Sequence, residues 1–161
     1  MSPRQAVPNA DFVIPIEIDG KTLQCYVIKR PWVDYFLESV REMFEVMIFT
    51  ASLNKYGDPL LDLLDAKPQS MRWRLFRESC VYDCGCYVKD LSLLGRDLKD
   101  TIIIDNSPYS YKYQPENAIP ISSFIDDPTD RELLRVLKLL EEVKDVPDVV
   151  EGLGKFRRGR M

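Results

Sequence analysis

"TIIIDNSPYSY", residues 101–111, drives three consecutive isoleucines straight into a carboxylate and an amide. An unbroken apolar run of this kind is the pattern of a short strand buried on both faces, as in a parallel sheet. In open α/β sheets, ligands collect at the carboxyl ends of the strands. Asp105 and Asn106 therefore stand where a binding site would be built.

A second run of the same type, "FEVMIFTAS" (44–52), stops at Thr50. Apolar positions at helical spacing precede it over 31–43, with Pro31 suited to a first helical position. The segment "LNKYGDPLLDLLDA" (53–66) predicts a helix restarted at Asp58-Pro59 as cap and first residue. "TDRELLRVLKLLEEV" (129–143) predicts another, with Leu133, Leu137 and Leu140 on its buried face. Near the start, "FVIPIEI" (12–18) and "TLQCYVI" (22–28) alternate around Asp19-Gly20, a hairpin signal because both turn residues tolerate positive φ. Short strand-like runs fill 72–88, and "NAIPIS" (117–122) adds one more. Helices alternating with apolar strands predict an α/β fold, with a parallel sheet covered by helices on both faces.

At 161 residues the chain is of single-domain size, with 45% hydrophobic and 30% charged residues. No apolar run approaches the roughly 20 residues of a membrane helix, and "MSPRQAVPNADF" lacks a signal-peptide core. A nuclear or cytoplasmic location without membrane contact is expected. The net charge of −4 argues against direct nucleic-acid binding, which wants a basic face. The exception is the basic tail, 151–161, whose "KFRRGR" (155–160) reads as a frayed terminus. Cysteines stand at 25, 80, 84 and 86 in a chain without histidine, which favours reduced structural thiols over a zinc site.

Three features fall where chemistry is expected. Thr50 and Ser52 lie where a strand gives way to a helix, a natural phosphate position. Asp105 and Asn106 are hard oxygen donors of the kind Mg²⁺ takes. Lys89, beside Asp90, supplies an ammonium to neutralise phosphate or brace a carboxylate. Each has a plainer reading: a helix cap, a polar turn, a solvated lysine.

The segments "NADFVIPIEIDGK", "YVIKRPWVDYFL", "FEVMIFTASLNKYGDPLLDLLD", "RLFRESCVYDCGCYVKDLSLLGRDL" and "IIIDNSPYSY" resemble the small phosphatases acting on the C-terminal domain of RNA polymerase II. Those are Mg²⁺-dependent aspartyl-phosphate enzymes of the haloacid dehalogenase superfamily, and the resemblance covers residues 8–150. It implies a Rossmann-like parallel sheet with a small β insert, and a phosphorylated Ser/Thr peptide or protein as partner. It implies that Thr50 binds the transferring phosphoryl group and that Lys89 steadies the nucleophile and the phosphate charge. Asn106 would be a direct Mg²⁺ ligand and Asp105 a metal-site partner. Tyr56 and Arg77 match groove-lining positions, and the 72–88 strands resemble the substrate-recognition insert.

The family's first motif, Asp-x-Asp-x-Thr, supplies the nucleophile and the general acid and base, and it is missing. No two aspartates stand two apart anywhere in the 161 residues. Without a nucleophile the chain is expected to be inactive as written, with weak Mg²⁺ binding, and the expected cause is truncation. The missing strand would be central, between those ending at Thr50 and Asp105. Its loss leaves two rows of backbone groups without partners unless the strands close up or another segment fills in. The alternative is a pseudophosphatase that binds phosphopeptide or protein partners. A mitochondrial import-translocase relative is a third reading, less expected for want of a transit peptide or membrane segment.

Overall fold

A computed structural model of the chain describes residues 7–65 and 71–159. It opens on strands β1 (Phe12–Ile18) and β2 (Lys21–Val27), an antiparallel hairpin with Ile18 opposite Lys21. Asp19 (φ 51°) and Gly20 (φ 73°) both take the left-handed conformation that a two-residue turn demands. Ile14 and Ile16 face Cys25 and Leu23 across the ladder. Only one strand is well covered: Ile14 is buried, while Leu23 and Cys25 are exposed.

Helix α1 (Val33–Met43) starts two residues beyond Pro31, because Trp32 sits at φ 70°, which no α-helix can include. Strand β3 (Met47–Phe49) follows and stops just before Thr50, one residue short of the apolar run's expected end. Helix α2 (Asn54–Leu64) is continuous, so the expected restart at Asp58 does not occur and Pro59 lies inside it. Proline removes the bond to the carbonyl four residues earlier. That carbonyl belongs to Lys55, an exposed residue that water can reach.

Strand β4 (Trp73–Leu75) pairs parallel with β3, Met47 opposite Trp73. The stretch 72–88 is therefore not one insert. Only β5 (Val81–Asp83) and β6 (Cys86–Val88) form a separate hairpin, turned at Cys84 (φ 50°) and Gly85 (φ 81°). Cys80 closes a 3-10 turn rather than lying in a strand, and all four cysteines are free thiols. Strand β7 (Ile103–Asp105) pairs parallel with β8 (Ala118–Pro120). Helices α3 (Glu132–Val143) and α4 (Val149–Arg158) complete the fold. The supposed basic tail is thus helical through Arg158, anchored by buried Val149 and Leu153, with Asp148 Oδ1 capping Val150 N at 2.8 Å.

The main core joins Phe36, Leu37 and Val40 of α1 to Leu133, Val136, Leu137, Leu140 and Val143 of α3, with Ile119 beneath them. The architecture is mixed α/β, but the expected single parallel sheet is divided. β3–β4 and β7–β8 are separate two-stranded sheets, and among the described residues no backbone ladder joins β3 to β7. The two strands have not closed up. Between them lies a cavity of about 510 Å³, lined by Val46–Phe49 on one side and Thr101–Asp105 on the other.

Candidate functional site

The carboxyl ends of β3 and β7 converge on Lys89. Its side chain is buried, and Nζ donates to Asp105 Oδ2 at 2.5 Å while lying 6.0 Å from the Phe49 ring. Its backbone N–H donates to Ser110 O at 2.8 Å, fixing the residue just after β6. The plain reading of Lys89 as a solvated lysine is wrong: a buried ammonium persists only when paired. Asp105 is equally committed. Its second oxygen, Oδ1, accepts from Ser107 N at 2.9 Å, shaping the turn that follows the strand.

Thr50 sits one residue past β3. Its N–H donates to Leu75 O at 2.9 Å, and its Oγ1 accepts from Ser52 N at 3.1 Å. The loop 50–52 is held from the β4 side by Arg77, whose Nε donates to Ala51 O at 2.7 Å and whose N–H donates to Ser52 O at 3.0 Å. The guanidinium also stacks 5.0 Å from the Tyr87 ring of β6. Arg77 thus braces both the loop and the second hairpin. Tyr56, in the first turn of α2, is half-buried with Lys55 Nζ 4.8 Å from its ring. Leu53 caps α2 without a side-chain oxygen, and the first-turn amides are largely engaged within the turn: Lys55 N donates to Asn54 Oδ1 at 2.8 Å and Tyr56 N to Leu53 O at 3.0 Å.

Asn106 is exposed, and its Nδ2 donates to Ser123 Oγ at 2.9 Å, which leaves Oδ1 as the open donor atom. Asp90 faces another way. It caps a 3-10 turn through Ser92 and accepts from Gln114 Nε2 at 2.8 Å, and the Ser92 bond holds its carboxyl below the ordinary range. The β5–β6 hairpin is tied at Asp83, whose Oδ2 lies 2.8 Å from Lys112 Nζ and accepts from Tyr113 Oη at 2.7 Å. Lys112 and then Tyr113 lower the Asp83 carboxyl to about 2. Burial pushes the Cys80 thiol up, against Lys89 and Arg77.

Sequence reasoning missed several of these partners. Ser123 could have been noticed as the polar residue closing "NAIPISS", whereas Ser110 acts through its carbonyl and leaves no side-chain signal. Nor does any local pattern announce the Glu45–Arg96 pair, at 2.6 Å, beside the mouth of the cavity.

Chemically, an ammonium and a hydroxyl can hold a phosphate. The donor set does not make a Mg²⁺ site by itself. Mg²⁺ demands near-octahedral oxygen coordination. Here Asn106 Oδ1 is free but both Asp105 oxygens are engaged, and among the described residues no three His, Cys, Asp or Glu side chains cluster to hold a metal. None of the described helices is long and apolar enough to cross a membrane.

Comparison with known proteins gives the arrangement a lineage. The profile of the NLI interacting factor-like phosphatases matches residues 2–150. The human carboxy-terminal domain RNA polymerase II polypeptide A small phosphatase 2 is 56% identical over 151 residues, 94% of this chain and 55% of the relative. A probable C-terminal domain small phosphatase of Dictyostelium discoideum is 59% identical over 143 residues, 89% of this chain and 46% of the relative. Phosphatase Herzog of Drosophila melanogaster is 54% identical over 143 residues, 89% of this chain and 40% of the relative. The chain spans about half the length of these curated relatives or less. It belongs to the NLI interacting factor-like phosphatase family.

Proposed function

We propose that this chain carries the phosphate-holding half of a haloacid-dehalogenase-type protein phosphatase, built on a Rossmann-like sheet whose central strand it lacks. The ligand is a phosphoserine or phosphothreonine segment of an extended peptide, such as the RNA polymerase II tail named in its relatives. Thr50 Oγ1 donates to a phosphoryl oxygen, and Lys89 offsets the phosphate charge while Asp105 holds the ammonium in place. Asn106 Oδ1 is the oxygen this chain offers a Mg²⁺ ion, with Asp105 behind it, and both fall short without further ligands. Tyr56 and Arg77 border the peptide groove. The setting is nuclear or cytoplasmic.

One observation supports this most directly: the buried Lys89–Asp105 pair at the carboxyl ends of two strands that share no ladder, with Thr50 at the facing end. A lysine so placed stabilises an incoming dianion more than it would in water, because the surrounding dielectric is low.

The 161 residues hold no Asp-x-Asp pair to attack phosphorus and then relay the proton. The chain as written therefore binds phosphate esters without turning them over. An assay on a chromogenic phosphate ester with Mg²⁺ should read at the uncatalysed background. Robust Mg²⁺-dependent turnover that disappears in Asn106→Ala would refute this. The same absence favours a second reading, a pseudophosphatase that docks phosphoproteins. For it, phosphopeptide binding to this chain should be lost in Thr50→Val and should need no Mg²⁺.

A further inference from the structure

A second cavity, of about 430 Å³, lies between β8, α3 and α4 and shares no lining residue with the one between β3 and β7. Its floor is apolar: Ala118 and Ile119 of β8 and Leu153 of α4 are each 2% exposed or less. Leu139 of α3 and Phe156 of α4 stand beside them, half-buried against the main core. A cavity of about 150 Å³ holds a benzene ring. At about 430 Å³, this one has room for an aliphatic body of about ten carbons.

The strand edge that borders the cavity has no backbone group left to offer. Ile121 N–H donates to Asp105 O in β7, so by alternation Ala118 and Pro120 turn their groups outward. Ala118 N–H donates to Pro115 O, and Ala118 O accepts from Arg157 Nη2 at 2.8 Å. Pro120 has no N–H, and its carbonyl accepts from Arg135 Nη2 at 2.8 Å. An extended peptide that binds by strand addition needs such groups and finds none here. Bare carbonyls would also repel an anion, and here guanidinium groups cover them.

Both arginines keep further donors. Arg157 reaches the carbonyls of Pro115, Glu116 and Ala118 through Nη2 alone, which leaves Nε and Nη1. Arg135 uses Nε and Nη2 for Glu132 and Pro120, which leaves Nη1, although Glu132 offsets its charge. Lys138 follows on the same face of α3, exposed and without a partner among the described residues. Among the described residues one acidic side chain, Glu142, lines the cavity. Two uncompensated cations, Lys138 and Arg157, therefore stand against one carboxylate at the rim of an apolar space.

From this we infer that the cavity binds a small amphiphilic carboxylate, an aliphatic body with one anionic head. The body lies on Ile119, Leu139, Leu153 and Phe156, and the head meets Lys138 and the free donors of Arg157. The sealed strand edge favours such a molecule over a peptide, because it asks for no backbone pairing. The inference goes beyond the phosphate reading and does not depend on it, since neither Thr50, Lys89 nor Asn106 lines this cavity.

The test uses the whole 161-residue chain with carbon-13-labelled methyl groups, and decanoate as the probe. Saturable shifts are expected at the methyls of Ala118, Ile119, Leu139 and Leu153, with a Kd on the order of 0.1 mM. Each methylene removed, through octanoate to hexanoate, should weaken binding about fourfold. Octanol, which has the body without the charge, should bind about fivefold more weakly than octanoate. Lys138→Glu changes an exposed side chain with no partner to lose, and should weaken decanoate about tenfold. Glu142→Gln should tighten it about twofold.

No saturable shift at these methyls at about 1 mM decanoate, where even weak binding registers, would overturn the inference. Octanol binding as tightly as octanoate, or indifference to Lys138→Glu, would also overturn it, since the cavity would then recognise no charge. So would shifts confined to Ile48 and Ile104, which place the ligand in the other cavity. A short peptide ending in leucine that binds more tightly than decanoate would overturn it in favour of a protein carboxyl terminus.

Discussion

The two sides of the β7–β8 pair follow opposite rules. On the outer side every exposed carbonyl of β8 meets an arginine, and the proline there removes a donor. On the inner side, β7 turns Ile104 toward a cavity that β3 borders from across the gap. Natural proteins blunt edges that would otherwise pair with stray chains. The β8 edge is blunted in this way, whereas β3 and β7 border the cavity with no ladder between them.

The largest effect that could break this contrast lies at Lys89. Lys89→Met removes the buried partner of Asp105 and should destabilise the chain by about 3–5 kcal/mol in urea unfolding, because a carboxylate is left buried and unpaired. Adding Asp105→Leu should restore much of that loss, since an apolar replacement of both members carries no stranded charge. A loss under about 1 kcal/mol would mean that water reaches the pair and that the inner side is no drier than the outer.

A smaller effect is expected on the guarded side. Arg157→Ala uncovers three carbonyls and should lower stability by about 1–3 kcal/mol, with faster self-association by light scattering as the β8 edge opens. If association is unchanged, the arginine packs α4 against the sheet and does not guard its edge.

The smallest effect concerns the β5–β6 hairpin, tied by surface charges instead of a core. Lys112→Met should raise the Asp83 carboxyl from about 2 toward its ordinary 3.8, measurable by NMR titration of its side-chain carbon. Asp83 is depressed in the folded chain, so its stabilising effect is present above about pH 4 and fades as pH falls toward about 2. Global unfolding near neutrality should hardly respond, because exposed ion pairs contribute little.

Much of the fold was legible in order. The Asp19-Gly20 hairpin, the end of β7, and the Leu133–Leu137–Leu140 face all lie where local pattern puts them. What failed, failed for reasons beyond the local window. Trp32 takes a left-handed conformation usually left to glycine, and so delays α1. Pro59 sits within α2 because the carbonyl it deprives lies on the exposed side. Trp73–Leu75 looks like part of the hairpin that follows it, yet it pairs with a strand some 26 residues earlier. Of the candidate site residues, Lys89 and Asp105 pair with each other and Arg77 is tied to the loop that carries Thr50, whereas Tyr56 and Asn106 make separate contacts.

The amino-acid sequence by itself determined most of the strands and helices, though not α4, and which family the chain joins. It also determined that no paired aspartates are present to attack phosphorus. Those properties reside in periodicity, turn residues and motif spacing, all readable over a few residues. Only the tertiary structure decided that β4 joins β3, that Lys89 belongs to Asp105, and that β3 and β7 stand apart around a cavity. Pairing and burial depend on which distant segments meet, and a three-residue apolar strand carries no mark of the neighbour it will have or lack.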